Sequence, residues 1–137
     1  MVKLISGLAG SGKTKQLVDL VRSAVEEGNG DVVVIEKERK LTYDIPYQAR
    51  LLDTDSYNVC SFDLFKGFLC GLRAGNYDIT HFFIDNYYKI IGDKSHETLL
   101  KFVNWLNAFS GNDDLEFYIS ISADPDALPE ELKKYIL

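Results

Sequence analysis

The stretch GLAGSGKT at residues 7–14, called the glycine loop below, constrains the fold more than any other part of the chain. Gly7, Gly12, Lys13 and Thr14 fill every required position of the phosphate-binding pattern G-x-x-x-x-G-K-[ST]. Such a cradle needs backbone N–H groups that point inward around an anion, and residues without a Cβ adopt the necessary turns most easily. By chance, average residue usage gives this pattern in fewer than about one in a hundred chains of this length. We therefore expect a phosphate-binding loop here.

The sequence on either side of the glycine loop predicts a strand before it and a helix after it. Residues 2–6 are a short apolar run, and residues 13–28 carry leucine, valine and alanine at helical spacing up to Gly28. The unpaired N–H groups at the start of that helix favour the same anion as the loop. We expect Lys13 to reach the β- and γ-phosphates of a nucleotide and the Thr14 hydroxyl to bind Mg²⁺. The positions expected to contact the nucleotide are Gly7, Ala9, Gly10, Ser11, Gly12, Lys13, Thr14 and Lys15.

The rest of the chain alternates between strand and helix patterns. Strands are predicted in DVVVIEK at 31–37, in HFFI at 81–84 and in LEFYISIS at 115–122, with a further short strand at 57–60. Helices are predicted to begin after Ser61 and Ser95, and another near Pro129. Residues 41–56 have no clean period. This order predicts one domain, residues 1–137, with an α/β fold of three layers, α/β/α, around a mainly parallel sheet.

In sheets of this kind, ligands bind at the carboxyl ends of the strands. The predicted order places the glycine loop, Asp85 and Ser122 together at that edge. The convergence follows from the order of the elements alone, independently of the glycine pattern.

At this point the chain resembles the P-loop NTPases, in particular the compact RecA-like ATPases. GLAGSGKT is a full Walker A match, and HFFIDN resembles Walker B, a run of apolar residues that ends in Asp. The resemblance implies that ATP and Mg²⁺ are the cofactors and that Asp85 holds Mg²⁺ through water. No N-K-x-D guanine motif occurs, which favours ATP over GTP. Relative to a RecA-like core, the strand that commonly flanks the P-loop strand is predicted to be missing, and an open edge there would invite a protein partner or a second copy.

The residue after Asp85 predicts slow hydrolysis. RecA-like ATPases and helicases usually carry Glu there, whereas this chain has Asn86, and an amide cannot accept a proton from water. Glu36, at the end of the second predicted strand, is the candidate replacement base, and Asp124 is a weaker one. A solvated loop carboxylate is the simpler interpretation for each. An arginine finger would have to come from a neighbouring chain or from one of three residues, Arg39, Arg50 and Arg73.

Three functions remain open from the sequence. The first is an ATPase with weak or partner-dependent activity. The second is a small-molecule kinase similar to the nucleoside and nucleotide kinases, whose acceptor pocket would have to come from 41–56, although IDNYYK departs from the strand end of those enzymes. The third is a nucleotide-gated binding module without hydrolysis. Ser120 or Ser122 is a candidate γ-phosphate sensor or a simple turn former, and Tyr87, Tyr88 and Trp105 are a candidate partner surface or part of the core.

Composition excludes several other classes. The net charge is −6, which opposes nucleic-acid binding, and the basic residues of EKERK at 36–40 alternate with acids as in a solvated segment. No apolar run approaches the roughly 18 residues that a membrane span needs, so a cytoplasmic protein is expected. Cys60 and Cys70 are too far apart for a CxxC site and are predicted to be buried free thiols.

Overall fold

A computed structural model describes all residues from 1 to 137 and shows an α/β fold. The strands are β1 (Val2–Gly7), β2 (Asp31–Glu36), β3 (Arg50–Asp53), β4 (Ile79–Ile84) and β5 (Glu116–Ser122). The helices are α1 (Lys13–Glu27), α2 (Phe62–Gly75), α3 (Tyr87–Ile91), α4 (His96–Ser110) and α5 (Glu130–Lys133). Two single 3₁₀ turns lie at Asp55–Tyr57 and Pro125–Ala127.

The five strands form one sheet in the order β1-β5-β4-β2-β3, and every neighbouring pair is parallel. Buried side chains of α1 pack on one face of the sheet, and those of the other four helices pack on the opposite face. The three-layer α/β/α architecture with a parallel sheet is therefore confirmed. Because all strands run the same way, their carboxyl ends meet at one edge of the sheet.

Local sequence explains where the long elements begin and end. The side-chain oxygens of Ser61 and Ser95 accept hydrogen bonds from the N–H groups of Leu64 and Thr98, so both serines cap the helices predicted from them. In β2, four β-branched residues, 32–35, are all buried, as expected for an inner strand covered on both faces. These starts and the central strands agree with the sequence patterns.

The segment 41–56 holds a strand that the sequence pattern did not reveal. β3 pairs in parallel with β2 from Val33–Arg50 to Glu36–Asp53. The strand predicted at 57–60 is wrong, because Tyr57 ends the 3₁₀ turn and residues 58–60 form no strand. β3 is a four-residue edge strand with only two buried side chains, which is too short to show a period.

One further expectation about burial is wrong, and one pair of alternatives is resolved. Cys60 and Cys70 are exposed free thiols rather than buried ones. Of the two interpretations of Tyr87, Tyr88 and Trp105, the core is the one observed, since Tyr87 and Tyr88 are buried in α3 and Trp105 is partly buried against the same core.

The outer edge of β1 carries no sixth strand, yet the end of the chain covers part of it. The Leu4 N–H donates to the Tyr135 carbonyl at 2.8 Å, and the Leu137 N–H donates to the Leu4 carbonyl at 2.9 Å. These bonds make an isolated parallel bridge between Leu4 and Ile136. The edge predicted to be open is thus paired at its centre. None of the helices combines the length and the apolar character needed to cross a membrane.

Candidate phosphate-binding site

The backbone of the glycine loop takes conformations that its glycines make possible. Gly10 and Gly12 have φ of 82° and 88°, the left-handed region that side chains with a Cβ rarely adopt. At Gly7, an added Cβ would collide with the Ser11 hydroxyl. Ser11 closes the turn, since its N–H donates to the Leu8 carbonyl at 3.1 Å. The loop therefore leads from the carboxyl end of β1 directly into α1.

The start of α1 presents free backbone donors next to this loop. The first helical hydrogen bond runs from the Gln16 N–H to the Gly12 carbonyl at 3.0 Å. The N–H groups of Lys13, Thr14 and Lys15 precede it and so have no partner within the helix. A 15-residue helix also concentrates positive potential at this end. The arrangement suits an anion with several oxygens.

A cleft of about 500 Å³, called the loop cleft, lies over these donors. It is lined by residues of the glycine loop and the first turn of α1, together with Asn86, Lys89 and Ser122. Of the eight positions expected to contact a nucleotide, six line it, the exceptions being Gly7 and Ser11. The Lys13 ammonium donates to the Leu8 carbonyl at 3.1 Å and so lies folded over the loop.

Asp85 is the centre of a buried hydrogen-bond cluster just beyond β4. Its Oδ1 accepts from the Ser120 hydroxyl at 2.7 Å and from the Thr14 hydroxyl at 3.3 Å, and its Oδ2 accepts from the Asn86 amide at 3.3 Å. The Ser120 hydroxyl also accepts from the Asn86 N–H at 2.8 Å. The structure therefore brings Thr14 and Asp85 together, and Ser120 fixes the carboxylate. Ser122, the other candidate sensor, is exposed at the strand end.

The donor set fits Mg²⁺ coordinated jointly by protein and nucleotide. The residues contain no cluster of three or more His, Cys, Asp or Glu side chains that could hold a metal ion alone. Mg²⁺ is commonly held by one or two carboxylates while phosphate oxygens and waters fill its other positions. The Thr14 hydroxyl and the Asp85 carboxylate, adjacent to the free N–H groups of α1, are the residues that could hold it.

The backbone of Asn86 explains why an asparagine follows Asp85. Its φ is 55°, in the left-handed region, and it is the residue from which α3 starts. Asn is among the few residues other than Gly that adopt this conformation readily. The residue at this position therefore turns the chain sharply as well as bonding to Asp85.

Glu36 lies close to the same cluster. Its side chain is buried at the end of β2, and its two oxygens accept from the N–H groups of Lys40 at 2.9 Å and Leu41 at 3.2 Å. Burial raises the pKa of the Glu36 carboxyl above its ordinary value; those two N–H groups oppose the rise, and the charges of Asp85 and Asp53 add to it. This carboxyl therefore holds its proton more readily than a solvated glutamate.

A second cleft of about 110 Å³, called the Glu36 cleft, is lined by Glu36 and adjoins the loop cleft. Thr14, Asn86 and Lys89 line both. Residues of EKERK line the Glu36 cleft, so this segment borders the site rather than being merely solvated. Asp124, the other candidate base, instead caps the turn at Pro125–Ala127 by accepting from the Asp126 N–H at 3.0 Å.

None of the four arginines lines the loop cleft or the Glu36 cleft. Arg22 donates to the Asp44 carbonyl, and Arg73 pairs with Asp113 at 3.0 Å near the opposite edge of the sheet. Arg39 pairs with Asp53 at 3.0 Å. Arg39 and Arg50 line a third pocket of about 330 Å³, called the β3 pocket, which shares Glu36 with the Glu36 cleft.

Sequence reasoning missed Lys89, and it named Ser120 as a candidate γ-phosphate sensor but not as a partner of Asp85. Lys89 follows Asp85 by four residues and carries no motif, but its place in α3, directly after the turn at Asn86, brings it to both clefts. The bond between Ser120 and Asp85 joins residues 35 positions apart, so no local pattern could reveal it. No family model matches the chain, and the search of the curated proteins gives no match.

Proposed function

We propose that the protein is a P-loop ATP-binding protein of the RecA-like kind, with weak or partner-dependent ATPase activity. The observation that carries the proposal is the contact between Thr14 and Asp85, directly beneath the free N–H groups at the start of α1. This places a hydroxyl and a carboxylate suited to Mg²⁺ beside donors suited to phosphate. ATP is proposed over GTP because the chain has no N-K-x-D motif.

Each residue has a definite role in the proposed reaction. The N–H groups of the glycine loop and of α1, with the Lys13 ammonium released from the Leu8 carbonyl, bind the phosphates. Thr14 and Asp85 hold Mg²⁺, which when bound neutralises part of the phosphate charge. Glu36 accepts a proton from the attacking water, because Asn86 cannot. Because no arginine lines the clefts, we expect the rate without a partner to be low.

A single-turnover experiment tests this function. Excess protein is mixed with γ-labelled ATP and Mg²⁺, and retained nucleotide and released phosphate are followed in the same samples. We expect retention with slow release from the wild type. Retention without any release would identify a nucleotide-gated binding module instead, while failure to retain ATP would refute the proposal.

The substitution Lys13→Ala tests phosphate binding by the glycine loop. In the wild type, ATP and Mg²⁺ at about 100 times the dissociation constant should raise the free energy of unfolding by about 2.7 kcal/mol. We expect Lys13→Ala to abolish this increase, because Lys13 lines the loop cleft and carries the charge nearest the loop. Thermal unfolding with and without ATP measures it, with Lys101→Ala as the control because Lys101 is exposed, pairs with Glu97 and lines neither cleft. An unchanged increase in Lys13→Ala would exclude the phosphate cradle.

The β3 pocket favours a second candidate function, a small-molecule kinase. Its volume of about 330 Å³ lies within the range of small-ligand sites, and it meets the Glu36 cleft at a buried carboxylate. A hydroxyl-bearing acceptor there would attack the γ-phosphorus, the bond from that phosphorus to the bridging oxygen would break, and Glu36 would take the hydroxyl proton. In the single-turnover experiment, repeated with a deproteinised cell extract, label in an organic product rather than in inorganic phosphate would support it.

A further inference from the structure

Of the lysines that line the two adjoining clefts, one has no partner within the protein. Five lysines line the loop cleft or the Glu36 cleft. Four of them have partners within the protein, namely Lys13 with the Leu8 carbonyl, Lys15 with Asp19, Lys37 with Asp55 and Lys40 with Glu38. The fifth, Lys89, makes no side-chain hydrogen bond and no ion pair. Lys89 is therefore the one lysine of the clefts whose ammonium group is unpaired.

The position of Lys89 is fixed although its side chain is exposed. Its N–H donates to the Asn86 carbonyl at 3.0 Å, and its neighbours Tyr88 and Ile90 are both buried. The backbone of α3 is thus anchored in the core, directly after the turn that follows Asp85. Lys89 is also the only charged side chain that lines both clefts. It projects at the junction between the two.

We propose that Lys89 binds the terminal phosphate of ATP, an inference that rests on the proposed function. A triphosphate bound by the glycine loop and the start of α1 fills the loop cleft first. Its terminal phosphate then lies past Thr14, where the loop cleft opens toward Glu36, and this is the junction where Lys89 projects. An ammonium there pairs with the phosphate that distinguishes ATP from ADP. Lys89 thus supplies from the same chain a positive charge that no arginine provides.

The inference predicts a change in nucleotide preference. The dissociation constants of ATP and of ADP, each with Mg²⁺, are measured by titration calorimetry for the wild type and for Lys89→Ala. We expect the substitution to weaken ATP binding by about tenfold or more, the usual effect of losing a bond between charged groups, and ADP binding by less than about twofold. Lys89→Arg should restore most of the ATP affinity. Lys94→Ala is the control, because Lys94 is exposed, lies five residues further along the chain and lines neither cleft.

The outcomes separate this inference from the proposed function. If Lys13→Ala abolishes binding but Lys89→Ala leaves both affinities unchanged, the role of Lys89 is refuted and the ATP site stands. Equal weakening of ATP and ADP would also refute it, because the contact would then not involve the terminal phosphate. Wild-type protein that binds neither nucleotide would refute both proposals.

Discussion

The sheet carries a polar cluster at each end, and the two clusters are built differently. At the amino end, His81 Nε2 lies 2.8 Å from Glu116 Oε2, and the Tyr118 hydroxyl donates to Glu116 Oε1 at 3.1 Å. The other ring nitrogen of His81 lies 2.8 Å from the Thr80 hydroxyl. The His81 ring lies nearly parallel to those of Phe83 and Tyr118, whose centroids are 6.0 Å and 6.5 Å from its own. This cluster is closed, because each of these polar groups finds a partner inside it.

The cluster at the carboxyl end is connected but open. Asp85 is held by Thr14, Ser120 and Asn86, yet the cluster adjoins the free N–H groups of α1 and the unpaired ammonium of Lys89. A protein gains little stability from donors that it leaves unpaired. The amino-end cluster therefore serves the fold, whereas the unpaired donors beside the carboxyl-end cluster are the basis of the proposed phosphate site.

The largest expected effect tests whether Glu36 belongs to the open cluster. If Glu36 accepts the proton of the attacking water, Glu36→Gln should slow phosphate release by about 100-fold, since general-base assistance is typically worth about 10²–10⁴-fold. The raised pKa of Glu36 means that wild-type release should increase with pH above the ordinary range of a glutamic acid, as the carboxyl loses its proton. Single-turnover rates against pH measure both effects. If Glu36→Gln releases phosphate at the wild-type rate, the base is a residue other than Glu36.

The same substitution has a stability consequence with a definite sign. Because folding raises the pKa of Glu36, the folded protein binds this proton more tightly than the unfolded chain does. The contribution of Glu36 to the free energy of unfolding should therefore fall as the pH rises from the unfolded to the folded pKa. Denaturant unfolding at several pH values should show this decline in the wild type relative to Glu36→Gln. The opposite slope would contradict the raised pKa.

A smaller effect is expected from adding a carboxylate to the open cluster. Asn86→Glu should raise phosphate release about tenfold, below the full value of a general base, because a glutamate in the left-handed conformation is strained. Asn86→Gln is the matched control, since it imposes the same strain without the charge. The two variants are compared with the wild type in single-turnover release. Equal rates in both variants would show that the attacking water lies away from residue 86.

The two clusters also show why the sequence predicted one part of the site and not another. The glycine loop and α1 are consecutive in the chain, and Asp85 follows a run of buried apolar residues, so local patterns indicate both. Ser120 reaches Asp85 from another strand, and Lys89 reaches the clefts through a five-residue helix. Their roles depend on the order of strands in the sheet, which no local pattern contains.

The elements of the fold also separate into those that local sequence patterns predict and those that they do not. The inner strands and the long helices were predicted. Each is long enough to show a pattern of buried residues, and serines cap α2 and α4. β3 has four residues at the edge of the sheet, and its place is decided by its pairing with β2 rather than by its own composition. The positive φ of Asn86 is only weakly indicated by the sequence. Asparagine is enriched in that conformation, but it also occurs where its side chain is needed for a hydrogen bond.

The smallest expected effect tests the closed cluster. Tyr118→Phe removes the hydroxyl that donates to Glu116, and we expect it to lower the free energy of unfolding by about 1 kcal/mol, the usual net value of one hydrogen bond. Burial and the bond to Glu116 raise the pKa of Tyr118 to about 12, so the wild-type hydroxyl keeps its proton and remains a donor at neutral pH. Denaturant unfolding measures the loss. ATP affinity should stay the same, because Tyr118 lies at the opposite end of the sheet from the glycine loop. A variant of normal stability with weakened ATP binding would reverse the roles assigned to the two ends.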